Sequence, residues 1–216
     1  GGPGGYVAAI RAAQLGKKVA VIEKDDLGGI CLNWGCIPTK SLLKNSEVLR
    51  YIKNSSKYGI DINDYSINWN KVIKRSRDVA KRLNKGIEYL LKKNKIEHIQ
   101  GKAKIIDINS LEVNNKGKVK SYQSNNIIIA TGARPKYFPG IEPDGNNIIT
   151  YKEAMSLDKQ PKNLVIIGGG AIGIEFADFY NNFGTEVTII EALPNILPIE
   201  DKDISSELES IFKKRK

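Results

Sequence analysis

At 216 residues with 41% hydrophobic content, the chain is long enough to bury an ordinary globular core in one large domain or two smaller ones. The net charge of +10 does not point to nucleic acid, because the lysines are scattered among Asp, Glu and Asn and the densest basic run, Lys213–Lys216, reads as a solvated helix end. No apolar run reaches the roughly 18 residues of a membrane span, and the opening GGPGGYV lacks the charged head of a signal peptide, so a cytoplasmic location without membrane contact is expected.

The first predicted unit is GGPGGYVAAIRAAQLGKKVAVIE. A glycine turn at Gly1, Gly2 and Gly5 leads into a helix, Tyr6–Leu15. Gly16 fits the left-handed position just past a helix end. Val19–Ile22 is a β-branched and apolar run suited to a parallel strand buried on both faces, and Glu23 closes it.

Next comes GGICLNWGCIPTK, which holds both cysteines, Cys31 and Cys36. Two are too few for a disulfide scaffold, and with His98 the lone histidine no metal site is expected. An ideal helix separates residues i and i+5 by about 8.7 Å, beyond the roughly 7 Å reach of a disulfide. A bridge therefore needs a break, which Gly35 and Pro38 permit. Closing so small a loop stabilises little, which suits redox cycling better than scaffolding. Two unpaired core thiols is the alternative that spacing leaves open. Position favours the redox pair: it follows the first glycine motif and opens a predicted helix, whose N-terminus lowers a thiol's pKa.

Ser41–Lys53 is predicted helical. So is Asn68–Asn94, where Val72, Val79, Leu83, Ile87 and Leu90 mark one face. Trp34, Trp69 and the tyrosines read as packing residues. A small antiparallel meander is predicted over Ile99–Ile106, Ser110–Val113, Val119–Tyr122 and Asn126–Ala130. The turn ATGARP and a linker with Pro135, Pro139, Pro143 and Gly145 follow.

The second half repeats the first. Residues 169–191, GGAIGIEFADFYNNFGTEVTIIE, align with 1–23 at a constant offset of 168. Gly169, Gly170, Gly173, Gly184 and Glu191 fall on Gly1, Gly2, Gly5, Gly16 and Glu23. Asn163–Ile167 supplies a leading strand, Ile174–Phe183 the helix and Val187–Ile190 the second strand. A last helix is predicted at Ser205–Lys216. In each copy the glycines let backbone N–H groups approach a pyrophosphate at a helix N-terminus, and the acid can accept the hydroxyls of an adenosine ribose. The second fingerprint, Gly168, Gly170 and Gly173, is complete. The first has no leading strand, so the chain is expected to begin inside the motif. The fold class expected is α/β: two Rossmann-like dinucleotide-binding domains with a small antiparallel β-meander, truncated at both ends.

GGICLNWGCIPTKSLL, with GGPGGYVAAIRAAQLG before it, ATGARP after it and GGGAIGIE in the second half, resembles the pyridine nucleotide–disulfide oxidoreductases over the whole chain. Within them it is most similar to the lipoamide-oxidising members. The resemblance implies an FAD-binding domain over 1–140 and an NAD-binding domain over 141–216. It implies a Cys31–Cys36 redox disulfide, Cys31 exchanging with a dithiol substrate and Cys36 lying against the flavin. Gly2 and Gly5 would face the FAD pyrophosphate and Glu23 its ribose. Residues from Lys24 through Gly29 to Cys31 would line the flavin site. Lys40, paired with Glu175, would sit near it, and Ala103, Thr131, Gly132 and Ala133 would approach FAD. Gly168, Gly170, Gly173 and Glu175 would hold NAD, and Glu191 its ribose. Glu191, with no arginine after it in EALPNILP, favours NAD over NADP, and Gly173 in place of alanine agrees by resemblance. The implied partners are the lipoyl carrier domain of a 2-oxoacid dehydrogenase or glycine cleavage system and, at full length, a second copy in a homodimer. The implied base, a partner-subunit histidine held by a glutamate, is not in this sequence, so these residues alone are expected to be inactive. Mercuric or glutathione-type reductases and a non-catalytic dinucleotide-binding fragment are the alternatives.

Overall fold

The computed structural model describes residues 1–215, in a mixed α/β fold of two compact units. The first joins Gly1–Pro38 to Arg77–Glu142. The second joins Thr39–Ser76 to the residues from Pro143 on. The chain thus crosses between units at 142/143, inside the proline-rich linker, and also within two helices.

In the first unit, helix α1 (Pro3–Gln14) precedes strand β1 (Ala20–Glu23), which pairs in parallel with β2 (Glu97–Gln100), Val21 opposite His98. Gly16, at φ +78°, takes the left-handed turn between α1 and β1. Helices α2 (Gly29–Trp34), α3 (Cys36–Lys53) and α4 (Trp69–Lys93) lie between β1 and β2 in the chain. Ala9, Val21, Leu27, Ile87, Leu91 and Ile96 form the core, with Tyr6, Ile10 and Leu32 at its margin. Each fully buried aliphatic side chain contributes about 1.5–3 kcal/mol of transfer free energy.

The predicted strand Ile99–Ile106 is two strands in two sheets. Gly101, at φ +147°, ends β2 and starts β3 (Lys102–Ile105), which pairs antiparallel with β4 (Ser110–Asn115) and through it with β5 (Lys118–Gln123). A Cβ on Gly101 would stand 2.6 Å from Val113 Cγ1, so a side chain is excluded where the chain changes sheets. Asn126–Ala130 joins no ladder. A strand needs a hydrogen-bonded neighbour, and β1 and β2 are paired only with each other.

In the second unit, β6 (Asn163–Ile167) and β7 (Glu186–Ile190) run parallel, Val165 opposite Thr188, joined by α6 (Ala171–Phe183). Phe176, Phe179, Tyr180 and Phe183 of α6 pack with Leu42, Leu49, Ile73 and Met155. Trp69 stacks on Phe179, Tyr180 and Phe183 with centroids 5.5–5.8 Å apart, as a packing residue should. The Tyr180 hydroxyl donates to the Ala154 carbonyl at 2.5 Å, and burial pushes its phenol well above the usual pKa. Against expectation, the β6–β7 sheet is not buried on both faces: Val165 and Ile167 of β6 and Ile190 of β7 are exposed. A parallel sheet is covered twice only when helices pack on both sides, and among the described residues α6 covers one.

Two further elements depart from the sequence reading. The buried stripe of α4 is Ile73, Ser76, Ala80, Ile87 and Leu91, while Leu83 and Leu90 are more than a third exposed; the helix is rotated by about one residue. A short helix, α5 (Tyr151–Ala154), was not foreseen. Its capping box was legible in the spacing T-x-x-E: Glu153 Oε2 accepts from the Thr150 amide at 2.8 Å, and the Thr150 hydroxyl oxygen accepts from the Lys152 amide at 3.3 Å. The last helix, α7, runs Lys202–Arg215; Lys216 lies outside the described residues.

Candidate functional site

Gly2 caps α1 in extended backbone, φ −78° and ψ −175°, and Pro3 follows at the first helical position, where no N–H is needed. The first-turn amides have no acceptor within the helix and carry the positive end of its dipole. Around this turn the fold gathers residues from distant parts of the chain. The Gly1 nitrogen stands 2.9 Å from Glu23 Oε2, and the Asp25 amide donates to Glu23 Oε1 at 2.9 Å. Partial burial raises the Glu23 pKa, but these donors outweigh it and hold the carboxyl below its usual value. Gly29, at φ +65°, presses on Gly2: a Cβ there would fall 2.7 Å from the Gly2 Cα. The Ala130 methyl, just before the Thr131–Gly132–Ala133 segment, lies 3.6 Å from the position a Cβ on Gly5 would take. Lys24 is exposed and pairs with Asp25 at 3.3 Å. Ala103 stands on β3 opposite Val113, and no hydrogen bond ties it to the turn among the described residues.

The two thiols follow this turn. Helix α2 stops at Trp34, Gly35 takes φ −142° and ψ −121°, and α3 starts at Cys36. A Cβ on Gly35 would stand 3.0 Å from the Ile30 carbonyl oxygen and 3.1 Å from the Cys31 Cα, so the chain folds tightly back over α2. This break is what an i, i+5 pair requires. Gly35 thereby brings the start of α3 back beside Cys31, where the Cys36 thiol bears on the ionisation of the Cys31 thiol. Pro38 sits in the first turn of α3, where its missing donor costs nothing. Cys31 is half-buried and Cys36 exposed. The Cys31 pKa is raised, first by burial and then by the Cys36 thiol. The α3 amides act in the opposite direction but lose, which reverses the lowered pKa expected from the helix N-terminus alone.

Asn33, which the sequence reading passed over, lies between the cysteines and is 8% exposed. Its Nδ2 donates to the Leu27 carbonyl at 2.7 Å and the Gly29 carbonyl at 3.1 Å. Asn84 Nδ2 from α4 donates to the same Leu27 carbonyl at 2.5 Å. Arg77 donates to the Asn33 carbonyl at 2.7 Å, its guanidinium 4.6 Å from the Trp34 ring centre. The one sequence signal was a buried-looking asparagine inside an apolar helix turn.

The second turn reproduces the first. Gly170 caps α6 with φ −74° and ψ 176°, nearly the angles of Gly2. The Gly169 amide donates to Glu191 Oε2 at 2.7 Å and the Leu193 amide to Glu191 Oε1 at 2.8 Å. These donors hold the Glu191 carboxyl below its usual pKa. Gly168, at φ +109°, donates to the Ile190 carbonyl at 2.8 Å. A Cβ on Gly173 would fall 2.2 Å from the Gly168 carbonyl oxygen, so only glycine fits where helix meets turn. The loop after the acid also repeats: Gly28 donates to the Gly1 carbonyl and Leu197 to the Gly169 carbonyl, both at 2.8 Å. The second loop is one residue longer, and Leu197 takes φ +49° within it. In the same unit Lys40 forms an ion pair with Glu175.

Each turn therefore offers side-chain-free backbone at a helix N-terminus with an acid fixed beside it, which fits the diphosphate and ribose of a dinucleotide. Among the described residues no cluster of three or more His, Cys, Asp or Glu could hold a metal ion. No helix there is long and apolar enough to cross a membrane.

Comparison with known proteins agrees with this geometry. The profile of the family "pyridine nucleotide-disulphide oxidoreductase" matches residues 1–216. The dihydrolipoyl dehydrogenase of Zymomonas mobilis is 50% identical over the whole chain, which covers 46% of that protein. The crystal structure of LpdA from Mycobacterium tuberculosis superposes with a TM-score of 0.92 at 28% identity, over 100% of this chain and 48% of that one. The HOCl-induced flavoprotein disulfide reductase RclA of Escherichia coli follows with a TM-score of 0.82 at 32% identity, over 99% of this chain and 46% of that one. The chain spans about half the length of these relatives.

Proposed function

The chain belongs to the pyridine nucleotide-disulphide oxidoreductase family, and from that premise we propose that it is the dinucleotide-binding part of an NAD-dependent dihydrolipoyl dehydrogenase, cycling Cys31 and Cys36 between dithiol and disulfide. The observation that carries this reading is the tie between the thiol turn and the first glycine turn: Gly29 opens the helix of Cys31 and packs on Gly2.

In the proposed reaction a substrate thiolate attacks Cys31 Sγ of the disulfide. The Cys31–Cys36 bond breaks and Cys36 leaves as thiolate. The second substrate thiol then displaces Cys31 and closes the substrate's own disulfide. Two electrons and two protons pass from substrate to the Cys31–Cys36 pair. FAD, when bound, supplies the acceptor for that electron pair, and NAD its final carrier. Gly2, Gly5 and the Thr131–Ala133 turn would hold the FAD diphosphate and Glu23 its ribose, with Lys24, Gly29 and Ala103 lining the site. Residues 1–140 are then the FAD-binding domain and 141–216 the NAD-binding one. Gly168, Gly170 and Gly173 would take the NAD diphosphate, Glu191 its ribose, and the Lys40–Glu175 pair would lie near the reacting rings. Glu191 disfavours NADP, because a fixed carboxylate repels a 2′-phosphate.

The partners in this reading are a lipoyl group on the carrier domain of a 2-oxoacid dehydrogenase or glycine cleavage system and, in the longer chain, a second copy forming a homodimer. His98 stands on β2 in register with Val21 and is exposed, and this reading gives it no part in the reaction. The reading also places the chain in the cytoplasm, the kind of compartment in which a disulfide is typically transient and catalytic.

Two measurements test the proposal. The chain incubated with FAD and desalted is expected to retain visible flavin absorbance; a colourless product overturns the flavin assignment. Grafted in place of the matching half of the Zymomonas mobilis relative, it is expected to support oxidation of dihydrolipoamide by NAD. Reduction of glutathione disulfide by NADPH in its place would move the chain to the glutathione-type branch.

A further inference from the structure

We propose that Asn33 is a positioning residue for the dithiol, acting from between the two cysteines to hold the turn in which Cys31 reaches Cys36. The inference rests on the redox reading of that pair and assigns a role to a residue that reading does not use.

The argument starts from cost. Asparagine inside a helix is a poor helix former, because its amide competes for backbone groups. Burying that amide unpaired would cost about 1–3 kcal/mol. Here it is paired, with the Leu27 carbonyl of the preceding loop at 2.7 Å and with the Gly29 carbonyl at the first position of α2 at 3.1 Å. Leu27 is itself a core residue, 2% exposed. Its carbonyl is anchored a second time by Asn84 of α4. The other end of α2 is held too, since Arg77 donates to the Asn33 carbonyl, one of the last-turn acceptors that a helix leaves unsatisfied. Helix α2 is thus fixed at both ends by contacts that pass through one residue. Gly35 then carries the chain back over Ile30 and Cys31, a Cβ on it falling 3.1 Å from the Cys31 Cα, and so sets the start of α3 with Cys36 beside Cys31. Without Asn33 the loop keeps its Asn84 anchor, but α2 loses its tie to the loop, and the two thiols lose part of their effective concentration at one another.

The test reads disulfide closure without flavin. Oxidised dithiothreitol accepts the two electrons and two protons released when the Cys31–Cys36 bond forms. The 216-residue chain and its Asn33→Ala, Asn33→Ser and Asn84→Ala variants are equilibrated in graded oxidised and reduced dithiothreitol, and the disulfide fraction is read by alkylation and mass. Asn33→Ala and Asn33→Ser are expected to shift the equilibrium toward the dithiol by about tenfold, the scale of one buried hydrogen bond. Asn84→Ala removes a bond to the same carbonyl and is expected to shift it less than about twofold, even where its thermal midpoint falls as far. Should Asn33→Ala not fold, Asn33→Ser carries the comparison. Equal shifts in the Asn33 and Asn84 variants overturn the inference, as does an unshifted Asn33→Ser that unfolds cooperatively. Failure of the unmodified chain to form the bond at any ratio overturns the redox reading itself, a result distinct from either.

Discussion

The Gly169 amide donates to Glu191 Oε2 at 2.7 Å, fastening the acid at the end of β7 to the glycine turn that starts α6. At the matching position of the first copy the Gly1 nitrogen stands 2.9 Å from Glu23 Oε2. The acid and the glycine turn are therefore fastened to one another, and under the proposed function disturbing either member should disturb binding of both the diphosphate and the ribose.

The pH dependence of that contact has a definite sign. The folded Glu191 carboxyl is held below its usual pKa by the Leu193 and Gly169 amides. Its contribution to stability is present above the unfolded pKa and is lost as pH falls through the folded value. Urea midpoints of Glu191→Gln and the unmodified chain are expected to differ at pH 7 and to converge as pH drops below the carboxylate range of about 4. A difference that persists unchanged in acid would contradict the arrangement.

Gly173→Ala places a methyl 2.2 Å from the Gly168 carbonyl oxygen, against backbone that cannot yield without moving the turn. The expected loss of stability is about 1–3 kcal/mol, read as a lower thermal midpoint. Quenching of NADH fluorescence should weaken in step. A variant as stable as the parent would show that the helix can slide on the strand.

The Cys31 thiol is expected to react with iodoacetamide along a pH profile whose midpoint lies above the ordinary thiol value of 9.0, because burial and the Cys36 thiol both oppose ionisation. Cys36→Ala removes the second of these and should move the midpoint down. A profile unchanged by Cys36→Ala would mean that the two sulfurs do not meet.

Asp178 accepts Arg50 through both carboxylate oxygens at 3.0 Å and Arg215 at 2.6 Å, tying α3 and α7 to α6. Asp178→Asn is expected to cost about 1 kcal/mol, at the upper end for partly exposed pairs, and to lose most of that cost in high salt. Salt-independent destabilisation would assign the effect to packing.

Much of this was legible in the sequence because it is local. Glycine turn, helix, left-handed glycine, apolar strand and acid recur at an offset of 168, and each element rests on propensities that act within a few residues. Val19–Ile22 and Asn163–Ile167 read correctly as strands for that reason. The strand over Ile99–Ile106 did not, because nothing within eight residues says that Gly101 must pass beneath Val113. Asn126–Ala130 failed likewise: β-branched residues favour a strand, but only a neighbouring strand can satisfy its backbone.

By itself the sequence determined the two glycine turns and the condition that Cys31 and Cys36 can bridge only where the helix breaks, since a continuous helix holds residues five apart beyond disulfide reach. Only the tertiary structure decided how that break is held. Asn84 and Arg77 arrive from α4, more than forty residues along the chain, to anchor the loop and the end of α2 around Asn33. It also decided the sign of the Cys31 shift. A helix N-terminus acts locally and can be read from order alone. Burial depends on what packs around the sulfur, and here burial and a second thiol prevail.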